Sequence, residues 1–183
     1  MTTTKTKSRV KLPANPFIHE ILELASKQRS KAKKIEILKE YESDALKSII
    51  IWNFDDTAVS ALPEGDVPYS RAEEQTAQNE SLSASIEKLN KVDGLSKMDE
   101  VVRKRATSIR KEWQNFYNYL QGGNPSLTSL RRETMFIQML EGLHPREAEI
   151  MVLVKDKKLQ TRYKITKSAI AEAYPDIQWG GRS

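Results

Sequence analysis

Residues 131–174 read RRETMFIQMLEGLHPREAEIMVLVKDKKLQTRYKITKSAIAEAY and carry the clearest helix signals in the chain. The first helix has Met135, Phe136, Met139 and Leu140 on one face. Gly142 marks the end of this helix, because glycine readily adopts the left-handed conformation. Pro145 suits the first position of a second helix, which closes in lysines at the negative end of its dipole. Thr166 is a good N-cap for a third, short helix, and Pro175 stops it. The stretch predicts an all-α fold.

The N-terminal part of the chain predicts three further short helices. Asn15 and Pro16 match an N-cap followed by proline at the first helical position. Ser30 is a candidate N-cap for the second helix, and Ser43 or Asp44 for the third. Connections this short favour antiparallel packing of neighbouring helices.

Residues 54–80 are expected to form an extended, Pro-rich and acidic strap. Pro63, Gly65 and Pro68 fall within six residues and exclude a regular helix or a central strand. The apolar residues between them suggest that the strap lies across a helical surface. Four carboxylates leave a metal site open as an alternative to capping and solvation: Asp55, Asp56, Glu64 and Asp66.

The segment after the strap predicts two more helices. Residues 82–92 carry a narrow apolar stripe, and residues 97–121 form the longest helical pattern, which GGNP stops. We expect the apolar face of this long helix to include Trp113, Phe116, Tyr117 and Leu120, with Tyr119 outside it. The basic side chains of its opposite face include Arg103, Lys104 and Arg105.

The expected architecture is a single compact multi-helix domain in which the strap joins an N-terminal and a C-terminal helical unit. Its segments are a disordered basic tail (1–14), a helical domain (15–175, divided into 15–53, 54–80 and 81–175) and a C-terminal tail (176–183). The 183 residues include no cysteine, which points to a reducing compartment and excludes disulfides and thiolate metal sites. No apolar run approaches the ~18 residues of a membrane span.

The net charge of +5 is unevenly distributed. Residues 1–52 carry +5, residues 53–96 carry −6 and residues 97–183 carry +6. Basic ends around an acidic middle fit either nucleic-acid contact or charge complementarity within the fold. The densest basic run, KQRSKAKK at residues 27–34, is either a solvated corner between helices or a phosphate-binding site.

The basic link KDKKLQTRYK favours contact with nucleic acid. Its local charge density suits phosphate binding, and Tyr163 lies within it for stacking. The link is too long for a helix-turn-helix turn, and no base-reading side chains follow it, so non-specific backbone contact to DNA or RNA is expected. The candidate residues are Lys155, Lys157, Lys158, Arg162, Lys164 and Lys167, with Arg103, Lys104 and Arg105 as a second patch.

The chain resembles a family of small uncharacterised proteins from T4-like tailed phages, cyanophages among them. The resemblance runs through PFIHEILELASK, LPEGDVPY, RRETMFIQMLEGLHPREAEIMVLVKDKKL and KITKSAIAEAYPDI, and leaves out the N-terminal tail and residues 71–97. It implies a phage origin and action in the cytoplasm of a bacterial host. It implies no activity.

Convergent reactive groups are scarce in this sequence. His19 and His144 are the two histidines, and the seven glycines form no phosphate-binding loop. We therefore expect a non-enzymatic accessory protein with no cofactor and no membrane contact. The alternative is an adaptor or structural phage protein that binds a host or phage protein without nucleic acid, with Tyr119 as the surface aromatic.

Overall fold

The computed structural model describes residues 11–69 and 107–182, which form seven α-helices and two 3₁₀ helices around one core. The predicted all-α fold is confirmed. The predicted helix at residues 82–92 lies outside the described residues. The α-helices are α1 (Ile18–Lys27), α2 (Lys31–Glu40), α3 (Asp44–Phe54), α4 (Ile109–Glu112), α5 (Ser129–Gly142), α6 (Pro145–Lys155) and α7 (Lys167–Ala173), and the 3₁₀ helices are Trp113–Tyr119 and Leu159–Thr161.

Side-chain caps begin the helices where the sequence predicts them. The hydroxyls of Ser30, Ser43 and Thr166 each accept a backbone N–H in the first turn of α2, α3 and α7, at 3.2 Å in every case. Pro145 is the first residue of α6. Each hydroxyl thus provides an acceptor for one backbone N–H that has none within its own helix.

The predicted start of α1 is wrong. Asn15 has a left-handed φ of +52°, and the helix begins only at Ile18. The Ile18 N–H donates to Oε2 of Glu147 (3.0 Å), and Oε1 of the same carboxylate accepts the Ile109 N–H (3.1 Å). Glu147 is fully buried, so a distant carboxylate caps both α1 and α4. Burial raises the pKa of Glu147, although the two N–H donors oppose this shift.

Three rings stack at the starts of α1 and α6. The ring of His19 stacks on Phe17 at 5.5 Å and on His144 at 4.6 Å between centroids. Burial, with smaller effects of His144 and Arg146, lowers the pKa of His19 to about 3. The Nδ1 of His144 accepts the Arg146 N–H at the start of α6. His19 is therefore neutral within the fold.

The core lies between two groups of helices. α2 packs on α1 and α7, and α6 packs on α1, α3 and α5. The largest fully buried side chains come from both ends of the chain and include Trp52, Phe136, Tyr163 and Tyr174. Because the C-terminal helix packs on α2, the N-terminal and C-terminal units share one core.

The extended strap is confirmed for residues 55–69 of its described part, whereas Phe54 is the last residue of α3. Asp55, Ala58 and Leu62 are buried in it. Ser60 forms an antiparallel bridge with Leu120, supported by the Ala61 N–H donating to the carbonyl of Tyr119 (2.8 Å). Backbone pairing therefore adds to the predicted apolar contacts that hold the strap.

The predicted helix at residues 97–121 is wrong in its described part. After the short α4 the chain continues as a 3₁₀ helix, whose three residues per turn align Trp113, Phe116 and Tyr119 on one face. Tyr119 is therefore buried at 2% exposure, and Tyr117 is 51% exposed. The sequence prediction reversed these two tyrosines because it assumed the α-helical period.

Two glycines have steric roles at the ends of these elements. A Cβ on Gly123 would lie 1.8 Å from the carbonyl oxygen of Tyr117, so the turn after the 3₁₀ helix tolerates no side chain there. Gly142 ends α5 as predicted, but its φ is not positive. Its own Cβ position lies 3.3 Å from Cγ2 of Thr107, so close packing rather than a left-handed cap explains this glycine.

The C-terminal tail contacts the end of α3. Asp55 is 2% exposed, and its Oδ2 accepts the Gly180 N–H (2.8 Å) and Nη1 of Arg182 (2.5 Å). Its Oδ1 accepts both the N–H and the hydroxyl of Thr57. Burial raises the pKa of Asp55, but these donors outweigh it and hold the pKa well below its usual range. Asp55 thus anchors the tail.

Candidate nucleic-acid interface

Lys155 holds the strap instead of facing solvent. Its side chain is buried, and Nζ donates to the carbonyls of Pro63 (2.7 Å) and Gly65 (3.1 Å) and to Oδ1 of Asp156 (2.6 Å). An ammonium has three N–H donors, and the fold uses all of them. The prediction that Lys155 contacts phosphate is therefore wrong.

Lys157 is also directed inward. Its backbone is left-handed, with φ +57°, and Nζ donates to the carbonyls of Trp52 (2.6 Å) and Asp55 (2.7 Å). These carbonyls lie at the negative end of α3, where a cation is stabilising. Burial lowers the pKa of Lys157, against the effect of Asp56 and Asp55. Its predicted role as a phosphate contact is wrong for the same reason as that of Lys155.

Two other predicted lysines, Lys158 and Lys167, are exposed. Lys158 forms no side-chain hydrogen bond or ion pair with the residues at 11–69 and 107–182. The Nζ of Lys167 lies 4.8 Å from the ring centroid of Trp179. Neither side chain lines the surface groove that contains Arg162 and Lys164.

Arg162 is exposed and partly neutralised. Its Nε lies 3.2 Å from Oε1 of Glu149, and its guanidinium lies 5.3 Å from the ring centroid of Tyr163. The predicted stacking role of Tyr163 is wrong, because its side chain is 1% exposed. Burial raises the pKa of Tyr163 to about 12, so the residue is a neutral part of the core.

Lys164 meets the basic corner of residues 27–34. The Nζ of Lys34 donates to the Lys164 carbonyl (2.7 Å) and to the carbonyls of Ala25 and Ser26 at the end of α1. The Lys164 N–H donates to Oγ of Ser26 (2.9 Å). Two basic runs that are about 130 residues apart in sequence therefore face each other.

Their meeting forms a basic groove, which consists of two adjoining hollows of about 250 and 560 Å³ that share Ser26 and Lys27. Six cations and one carboxylate line it within the described chain. The carboxylate, Glu23, is paired with Arg146. The groove is lined by Glu23, Ser26, Lys27, Gln28, Arg29, Lys34, Arg146, Gln160, Arg162, Tyr163, Lys164, Ile165 and Thr166.

Three of the groove cations are exposed and free to bind an anion. Among the residues that the structure describes, the side chains of Lys27, Arg29 and Lys164 form no hydrogen bond or ion pair. Lys34 is different, because its ammonium joins the two walls. Partial burial and the proximity of Lys164 lower the pKa of Lys34. The groove therefore concentrates positive charge that residues 11–69 and 107–182 neutralise only in part.

Of the candidates named from the sequence, the groove contains Lys164 and Arg162. Lys27 and Arg29 were recognised only as part of a dense basic run, because sequence alone does not show which distant segment faces that corner. The second predicted patch, Arg103, Lys104 and Arg105, lies outside the described residues.

Residues 21–94 and 94–161 match the model of a family of unknown function, DUF6433. The matched range runs from α1 to the Leu159–Thr161 3₁₀ helix and so includes most of the groove. No curated protein and no solved structure matches the chain. In the described ranges, no helix has both the length and the apolar character needed to cross a membrane. Because the match covers more than half of the 183 residues, the chain belongs to this family of unknown function.

Proposed function

We propose that the protein is a non-enzymatic accessory protein that binds the phosphate backbone of nucleic acid without sequence preference. The observation that carries this proposal is the basic groove, where Lys27, Arg29 and Lys164 face solvent without a partner in the described chain. The resemblance to proteins of T4-like phages suggests the cytoplasm of an infected bacterium as the place of action.

The physical basis of the proposal is counterion release. Each phosphate neutralised by a cation releases condensed counterions, so affinity falls with salt at a slope of about −0.9 per phosphate for duplex DNA. Three free cations predict that a fourfold rise in salt weakens binding about 40-fold. Contacts to phosphate carry no sequence information, so binding through these cations is expected to show no sequence preference.

The test is fluorescence anisotropy with short labelled DNA at low and at physiological salt. A variant combining Lys27→Glu, Arg29→Glu and Lys164→Glu should lose binding. A control with the same net charge reverses the exposed cations Lys39, Lys111 and Arg131, which do not line the groove, and should retain most of it. Equal losses in the two variants, or no binding by the unmodified protein at low salt, would refute the proposal.

A second candidate function is that of a protein adaptor. Leu130 is 76% exposed and Tyr117 is 51% exposed, and tyrosine is one of the residue types enriched among interface anchors. Tyr119, the anchor expected from the sequence, is buried. Binding of a phage or host protein through this surface should be lost in the Leu130→Ser variant and should not depend on salt. The DNA affinity of this variant should be unchanged.

A further inference from the structure

The positions of the aromatic residues indicate whether the groove suits single-stranded or double-stranded nucleic acid. The sequence contains four Phe, three Trp and six Tyr, and none of them falls within residues 1–10 or 70–106. Every aromatic side chain therefore lies in the part of the chain that the structure describes.

None of these rings is available in the groove. Tyr163 is the one aromatic residue in its lining, and it is 1% exposed. Tyr117, the most exposed aromatic, belongs to the Trp113–Tyr119 3₁₀ helix and does not line the groove. Trp179 is half-buried and lies against the ammonium of Lys167. A base that entered the groove would find no ring to stack on.

Single-stranded nucleic acid needs such a ring. Proteins that bind single strands combine a basic groove with aromatic side chains, and each stacked base contributes roughly five- to 150-fold in affinity. A duplex keeps its bases stacked on one another, so it can bind the groove through its phosphates without a ring for any base. It also has the higher charge density, so each contact releases more counterion than on a single strand.

The free cations of the groove come from two segments of the chain that face each other. Lys27 and Arg29 lie on one wall of the larger hollow, and Lys164 lies on the other. Lys34 fixes the two walls together through its bond to the Lys164 carbonyl. We propose, on the basis of the proposed function, that the basic groove selects the backbone of double-stranded over single-stranded nucleic acid.

The experiment compares one labelled DNA strand of non-self-pairing sequence, alone and annealed to its complement, over a series of salt concentrations. We expect the duplex to bind at least about tenfold more tightly and with the steeper salt dependence. Equal or tighter binding of the single strand, lost in the Lys27, Arg29 and Lys164 charge-reversal variant, would overturn the duplex preference and leave the proposed function intact. Binding of neither form at low salt would overturn both.

A second variant tests the reason for the preference. Gln28→Tyr places a ring in the groove without removing a cation, since Gln28 lines the larger hollow and is only partly buried. We expect single-strand affinity to rise about tenfold and duplex affinity to stay unchanged. No gain for the single strand, or the same gain for both forms, would overturn the inference that stacking is what the single strand lacks.

Discussion

Replacement of Lys155 by methionine separates stability from nucleic-acid binding. Methionine keeps most of the length and apolar volume of the lysine stem and removes only the ammonium. The change therefore deletes the three hydrogen bonds to Pro63, Gly65 and Asp156 while leaving the packing of α6 in place. Because Lys155 does not line the groove, we expect lower stability and unchanged DNA affinity.

The expected loss of stability depends on whether water can replace the ammonium at each of its three acceptors. Removing one partner of a buried ion pair typically costs about 3–5 kcal/mol. Here the side chain of Asp156 is 9% exposed and would stay buried without its cation. The Pro63 and Gly65 residues are exposed, so water can replace the ammonium at their carbonyls. We therefore expect a loss near the lower limit, about 3 kcal/mol.

Urea unfolding followed by tryptophan fluorescence measures this loss, and Lys158→Met is the matched control. The control removes the same charge three positions later, from an exposed side chain with no partner in the described chain, and should change the free energy of unfolding by less than about 0.5 kcal/mol. If Lys155→Met costs less than about 1 kcal/mol, or if it abolishes DNA binding while the protein is folded, the assigned role of Lys155 is wrong.

Three further predictions concern stability. His19 has a native pKa of about 3 against 6.5 in the unfolded chain, so between these pH values the unfolded chain binds a proton that the native protein does not. The free energy of unfolding should therefore decrease as the pH is lowered below 6.5, by at most about 1.4 kcal/mol per pH unit. Urea unfolding at a series of pH values should show a smaller slope for His19→Phe. Gly123→Ala should destabilise by at least about 2 kcal/mol because its Cβ meets the Tyr117 carbonyl; a thermal midpoint equal to that of the unmodified protein would contradict this. Asp55→Asn removes the charge that Arg182 contacts and should cost about 1.5–3 kcal/mol and expose the C-terminal tail to limited proteolysis.

Local signals made much of the helical framework predictable from the sequence. Ser30, Ser43 and Thr166 cap helices because a hydroxyl two or three residues before a free N–H is a short-range arrangement. Proline fixes its own φ and lacks an N–H, and glycine disfavours a regular helix or strand because it loses the most conformational freedom, so the strap around Pro63 and Gly65 was correctly expected to be extended. Features that depend only on residues nearby in the sequence, such as caps and helix ends, could therefore be predicted.

Long-range partners account for what the sequence did not supply. The start of α1 was misplaced because its donor is capped by Glu147, a residue in another helix. Lys155, Lys157 and Lys164 look equivalent in a basic run, yet the first two point into the fold and the third faces the groove. The direction of each lysine side chain depends on which carbonyl groups lie near it in the fold. The density of charge along the sequence does not show where those carbonyls are.

Glu147 also has a consequence for how the chain folds. One carboxylate closes two loops at once, because its bonds to Ile18 and Ile109 span 129 and 38 residues. Each bond forms only after the entropy of closing its own loop has been lost, so the first turns of α1 and α4 acquire this acceptor only when each has met α6. Because both helix starts depend on one carboxylate, a substitution of Glu147 would remove the acceptor of both at once.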